Sequence, residues 1–220
     1  MLKKIFTKNK KLSLTLIILA VFYLFWTIRS WYGYSYLGIN PDSNLGDEFL
    51  IWTKTFVWLP LAYLLLKLWY PKNWLKVAGF KTFNCSSLLW LIVATLIPLI
   101  YLWLIEIFFP GTYHYKPNWT FSLGFFLIRN SIIEEALFRG FLQPFLNTHL
   151  GLWKSLLIQG LLFSIIHWCW WIFVGKFSLN GVMYIWLLGI FWGYVTQKSN
   201  SIYPSIVSHT GYNLAMAMIL

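Results

Sequence analysis

An all-α bundle of transmembrane helices is the architecture this sequence predicts, and three observations carry it. Of 220 residues, 59% are hydrophobic and only 10% are charged, against about 25% charged in a soluble domain. The apolar residues gather into runs of roughly 20, the length that crosses a bilayer as helix. The basic residues fall in the short segments between those runs, as a topology signal would. The mean hydropathy of +0.65 agrees. The net charge of +11 therefore reads as orientation and not as a nucleic-acid footprint, because no aromatic-interleaved basic stripe accompanies it. Membrane lipid is the expected surrounding, and nucleic acid is not an expected partner.

Taken in order, the runs give about seven spans. Lys3, Lys4, Lys8, Lys10 and Lys11 precede the apolar stretch 12–28. Aromatics and Arg29 follow it in place of a small-residue cleavage site, so it reads as an uncleaved first span with a cytoplasmic N-terminus. Residues 30–48 carry Asp42, Asp47 and Glu48 and no lysine, which suits the outer face. The second span, 49–69, is marked by Lys54 and Pro60, and Lys67 can snorkel toward its inner end. Lys72, Lys76 and Lys81 make the loop 70–84 cytoplasmic. The third span is 86–109, followed by an outer loop at 110–118. The fourth, 119–146, exceeds the roughly 20 residues needed and is expected to tilt or run past the interface. Lys154 marks the next inner loop, and the fifth, sixth and seventh spans follow at 156–174, 182–197 and 202–220. Lys198 places the last loop inside and the C-terminus outside. Cys85 and Cys169 form no CxxC pattern and leave the redox compartment open.

The fourth span holds the feature that demands explanation. The chain has six acidic residues, and Glu134 and Glu135 stand side by side in this apolar stretch. One ionisable side chain at bilayer depth costs roughly 2.5–3.5 kcal/mol on insertion scales, and adjacent carboxylates raise each other's cost. Glu135 and Arg139 are i, i+4 neighbours in the favourable order. Glu134 lies about 100° round the helix, with no partner on its own helix, so something elsewhere must meet it.

Two other spans carry polar residues at depth. Phe163 and His167 share one face of the fifth, and His209 and Asn213 share one face of the seventh. Singly, such residues are most often helix–helix glue worth about 0.6–2 kcal/mol. Glu135–Arg139 reads as a structural ion pair and Phe163 as packing. Together the set has what a buried hydrolytic site requires: a group that takes a proton from water and donors for an oxyanion. Gly189 with Gly193, and Gly211 with Ala215, are spaced for close helix packing. His114 and His149 fall in loops and read as surface residues.

In this order the motifs Glu134-Glu135-x-x-x-Arg139, Phe163-x-x-x-His167 and His209-x-x-x-Asn213 resemble those of the CPBP family, the CAAX-protease and bacteriocin-processing intramembrane proteases, also called the Abi family. The resemblance covers residues 119 to 220 and implies a catalytic core of four spans there. Residues 1 to 118 are then the variable N-terminal region of three spans, within one structural unit. It places the active site between the fourth, fifth and seventh spans. It implies that Glu134 activates water, that His167 helps hold that water or shuttles the proton, and that His209 and Asn213 stabilise the oxyanion. Glu135 with Arg139 becomes the supporting pair. The family has been described both as glutamic and as metal-dependent proteases. The glutamate mechanism without cofactor is preferred here, since no His-Glu-x-x-His motif occurs. Zinc stays open, with Glu134, His167 and His209 as the candidate ligands.

The expected activity is therefore an intramembrane endopeptidase in a bacterial cell membrane. Its expected substrate is a membrane-associated peptide or protein such as a bacteriocin, pheromone or leader peptide. The alternatives are a non-proteolytic bacteriocin-immunity or interaction protein, and an ion- or proton-coupled transporter. No internal inverted repeat supports the last.

Overall fold

A backbone at bilayer depth has no water to bond and must satisfy its own N–H and C=O groups; this chain does so as helix. The computed structural model describes residues 2–40, 43–80, 85–108 and 121–219, and no strand occurs among them. Asp42, Lys81 and the outer loop 110–118 with His114 lie outside the described residues. Helix α1 (Leu2–Ser30) continues into a π-helical turn, Trp31–Tyr36. Next come α2 (Asn44–Trp69), the single turn α3 (Trp74–Val77) and α4 (Cys85–Phe108). A continuous helical run follows, made of α5 (Phe121–Glu135), a π-helical segment Ala136–Leu142 and α6 (Gln143–Leu150). The chain ends in α7 (Leu152–Trp171), α8 (Leu179–Ser199) and α9 (Tyr203–Ile219).

Local chemistry sets several of these boundaries. Ser43 and Ser178 cap α2 and α8, accepting from the N–H groups of Gly46 and Gly181, the usual role of serine at a helix start. Asn200 ends α8 in the left-handed conformation, φ 53°, which asparagine tolerates better than most residues.

Among the described residues five helices are long and apolar enough to cross a membrane: Lys10–Tyr36, Leu45–Trp69, Cys85–Phe108, Leu152–Trp171 and Leu179–Ser199. Two of the seven expected spans fall outside that class for identifiable reasons. The run through α5 carries Arg129, Glu134, Glu135 and Arg139, and α9 has 17 residues. Both nonetheless pack among the others, α9 along α4, α5 and α8, and α5 along α2.

Contacts gather the basic segments at one end. Lys11 donates to the Leu68 carbonyl, and Trp69 to the Thr15 hydroxyl. The Ile202 N–H bonds the Gly79 carbonyl, Trp69 packs on Phe145 and His149, and Trp153 stacks on Tyr194. The start of α1, the 70–80 loop, the α6–α7 junction and the α8–α9 turn thus meet, together with Lys72, Lys76, Lys154 and Lys198. His149, read from sequence as a surface residue, is instead half-buried in this aromatic cluster with its Nδ1 on the Phe145 carbonyl.

Close packing of α7 on α8 runs through glycine. A Cβ on Gly189 would stand 2.8 Å from the Gly160 Cα, and one on Gly193 would stand 2.6 Å from Gln159 Nε2. The second spacing, Gly211 with Ala215, behaves differently: a Cβ on Gly211 meets nothing within 4 Å, so the close approach expected there does not occur. Overpacking a tight site costs about 1–3 kcal/mol or more. Gly189→Leu is therefore expected to lower the melting temperature in detergent by several degrees, whereas Gly211→Ala leaves it unchanged or raises it. Equal loss in both variants would contradict this packing.

Candidate active site

The site is built on the last turn of α5, where Glu134 and Glu135 are 1% and 0% exposed. Glu134, expected from sequence to have no partner on its own helix, does find a hydrogen-bond donor there in Asn130, one turn earlier, while its countercharge comes from α2. Lys54, itself buried, forms an ion pair with Glu134 Oε1. Its ammonium also donates to Asn130 Oδ1 at 2.7 Å, and Asn130 Nδ2 donates back to Glu134 Oε1 at 3.1 Å. Trp58, one turn along α2, lies 4.9 Å from the ammonium. Glu134 Oε1 is thus held from two sides, while Oε2 accepts no hydrogen bond from the described residues.

The second carboxylate has its own countercharge. Arg139 NH1 bonds Glu135 Oε1 at 2.9 Å, and NH2 reaches across to the Gly189 carbonyl at 3.1 Å. The guanidinium lies 4.4 Å over the Phe163 ring. Each buried acid therefore has one buried base, which is how charge survives at this depth. The π-helical turn begins directly after Glu135; such turns are rare and concentrate at functional sites.

Helix α9 brings its imidazole between the two carboxylates. His209 Nδ1 is 2.9 Å from Glu135 Oε1, and Nε2 is 3.7 Å from Glu134 Oε2. A carboxylate accepts, so Nδ1 is assigned as the N–H donor. Trp192 of α8 stacks on the ring at 4.1 Å and 17°, and its own Nε1 is fixed by the Ser208 hydroxyl at 2.9 Å. One turn along, Asn213 Nδ2 makes a long contact of 3.4 Å to the Ser131 hydroxyl of α5.

Helix α7 supplies the other imidazole. His167 Nδ1 donates to the Phe163 carbonyl at 2.8 Å, which leaves Nε2 with a lone pair in the neutral ring. The ring lies within Coulombic range of Glu134 and Lys54. With Lys54, Trp26 and Trp58 it lines a cavity of about 10 Å³, about the room one water needs. Phe163 packs edge-on against Phe138 at 5.0 Å and against His209 at 5.9 Å, the packing role expected of it. At the basic end of the bundle a polar cleft of about 430 Å³, lined by Lys76, Asn147 and Gln197 among others, reaches Arg139.

Every candidate named from sequence thus falls in one region: Glu134, Glu135, Arg139, Phe163, His167, His209 and Asn213. Lys54, Asn130 and Trp192 join it and were not among those candidates. Read as sequence, Lys54 only marks the second span. Its usable signal is being a lone lysine deep in an apolar helix, a place where ionisable groups mark function or pairing. A zinc ion held by Glu134, His167 and His209 would use Glu134 Oε2 and the two Nε2 atoms, since Glu134 Oε1 is taken by Lys54 and Asn130, His167 Nδ1 by the Phe163 carbonyl and His209 Nδ1 by Glu135. Among the described residues no three His, Cys, Asp or Glu side chains are arranged to hold an ion.

A membrane-embedded helical protein with paired carboxylates, two imidazoles and an amide converging in its interior is the class that fold and site define. Residues 116–215 match the family model described as type II CAAX prenyl endopeptidase, Rce1-like. Over that stretch the chain is similar to the CAAX-type intramembrane proteases. No curated protein and no solved structure matches it.

Removing one partner of a buried ion pair costs about 3–5 kcal/mol. Glu135→Gln leaves Arg139 uncompensated, and Arg139→Ala does the same to Glu135. Both variants are expected to give less folded protein and a clearly lower melting temperature in detergent. Wild-type thermal stability in both would remove the structural role of this pair.

Proposed function

We propose that the protein is an intramembrane endopeptidase in which Glu134 activates the attacking water without a metal. One observation supports this above the others. Glu134 is buried and countercharged through Oε1, while its second oxygen is unbonded and faces His209 Nε2. That is the geometry of a base whose reactive atom is aimed.

On this reading one water hydrogen bonds Glu134 Oε2 and the other the lone pair of His167 Nε2. The water oxygen attacks the scissile carbonyl carbon as Glu134 takes its proton. The carbonyl oxygen becomes an oxyanion, received by His209 Nε2–H and the Asn213 amide. With Nδ1 donating to Glu135, His209 offers an Nε2–H to the oxyanion in its imidazolium form. Asn213 gives up only its 3.4 Å contact with Ser131. Glu134 then delivers the proton to the departing amine as the C–N bond breaks, and the site is restored.

The lysine-rich end of the bundle faces the cytoplasm under the positive-inside rule, which places the N-terminus inside and, with seven crossings, the C-terminus outside. The 430 Å³ cleft then opens to the cytoplasmic side. The substrate is a membrane-associated peptide or protein, with a bacteriocin, pheromone or leader peptide of a bacterium the first to try. Residues 119–220 form the catalytic core, and 1–118 the attached N-terminal region.

Purified protein with a peptide panel and mass spectrometry of the products tests the activity. Glu134→Asp keeps a charge for Lys54 while withdrawing the basic atom. It is expected to abolish cleavage while the protein still accumulates in the membrane, as is His167→Ala. Asn213→Ala is expected to lose about 100- to 1,000-fold in rate, as removal of one oxyanion donor does. A chelator such as phenanthroline leaves the rate unchanged on this mechanism. Loss of activity in metal-free protein, restored by zinc, would replace the glutamate mechanism with a metal one. Full cleavage by Glu134→Asp would remove Glu134 as the base.

Reporter fusions at residues 40, 75, 113, 150, 178 and 199 are expected to alternate, beginning outside. Two neighbouring fusions on one side would overturn this topology.

A further inference from the structure

We infer that Lys54 is a positioning residue of the reaction, which keeps Glu134 a carboxylate at bilayer depth and turns Oε2 toward the reacting water. The inference rests on the reading of Glu134 as the base. It assigns to the N-terminal region a part in the chemistry that the motifs of residues 119–220 do not contain.

Geometry carries it. Lys54 is 5% exposed, and its ammonium touches Glu134 Oε1 and Asn130 Oδ1. Asn130 closes the triangle by donating to the same Glu134 oxygen at 3.1 Å. Two donors on Oε1 fix the rotation of the carboxylate, so Oε2 points to His209 Nε2, 3.7 Å away. Without Lys54 the carboxylate can turn, and either oxygen can face the water.

The charges around the pair sharpen the assignment. From α1, Arg29 acts on Lys54 but spends its guanidinium on Tyr34 and on the Trp26, Tyr34 and Phe49 rings. From α7, His167 lines the cavity that Lys54 also lines. From α9, His209 faces both carboxylates, with Nδ1 held by Glu135. Arg139 is committed to Glu135 and the Gly189 carbonyl. From α5, Arg129 bonds the Thr55 hydroxyl and lies over Trp52. Among the described residues Lys54 is therefore the cation in hydrogen-bond contact with Glu134, and an uncompensated carboxylate in apolar surroundings takes up a proton and ceases to be a base.

The test is the pH–rate profile of wild type, K54R, K54Q and K54Q/E134Q on one cleaved peptide, with melting temperatures of the same proteins in detergent. K54Q is expected to lose about 100-fold at neutral pH, within the range that general-base catalysis contributes. Its acid limb should move to higher pH, so that part of the rate returns in alkaline buffer. K54R keeps the wild-type acid limb at a reduced rate. A merely structural lysine would lower the rate equally at every pH. K54Q alone lowers the melting temperature, and adding E134Q recovers part of the loss, because the orphaned charge is removed. A K54Q enzyme with the wild-type acid limb overturns the role of Lys54 and leaves Glu134 as base. Cleavage that survives in E134D overturns the base assignment itself, and this inference with it.

Discussion

Two adjacent carboxylates at bilayer depth are the constraint on which the rest of this structure depends. Neither is tolerable alone in an apolar medium, and each makes the other worse. The fold answers with one cation apiece, Lys54 from α2 and Arg139 from the turn after α5. Those two pairings fix how α2 lies beside α5 and how the π-helical segment follows it. They also give the two acids different surroundings. Both leave Oε2 without a hydrogen bond from the described residues, but Glu135 Oε1 is engaged by Arg139 and His209, whereas Glu134 Oε1 is engaged by Lys54 and Asn130 and its Oε2 lies 3.7 Å from His209 Nε2.

The packing serves the same arrangement. Arg139 needs an acceptor besides Glu135 and finds the Gly189 carbonyl, which also accepts from Gln159. That carbonyl is within reach because glycines at 160 and 189 let α7 and α8 approach closely. The same two helices hold Phe163 and Trp192, whose rings flank Arg139 and His209. Close backbone contact is thus coupled to the orientation of the polar side chains. A membrane-embedded site needs this because water is not there to satisfy a misplaced donor.

The N-terminal half enters through its side chains. Tyr23 donates to the Leu162 carbonyl, Thr27 to Cys169 Sγ, and Lys54 meets Glu134. Helices α1 and α2 are therefore joined to the site by polar contacts with α5 and α7 and not by apolar packing alone. A region outside the matched residues 116–215 thus supplies the buried countercharge of Glu134.

Much of this was legible in the chain. Composition and run length fixed a helical membrane bundle, because a spanning backbone has few other options. The spacings of Glu134 to Arg139, Phe163 to His167 and His209 to Asn213 marked three helix faces, because i and i+4 coincide on a helix whatever surrounds it. Other features are decided in three dimensions. The lysine that meets Glu134 lies 80 residues away in sequence, and although Lys54 stands deeper in its span than Lys67, nothing local states which acid it meets. The π-helical turn after Glu135, the stacking of Trp192 on His209, and the contrast between tight Gly189 and open Gly211 depend on which helices adjoin. Helical periodicity states which residues share a face; only packing states what that face meets, because a buried charge or a bare glycine gets its neighbours from the whole fold.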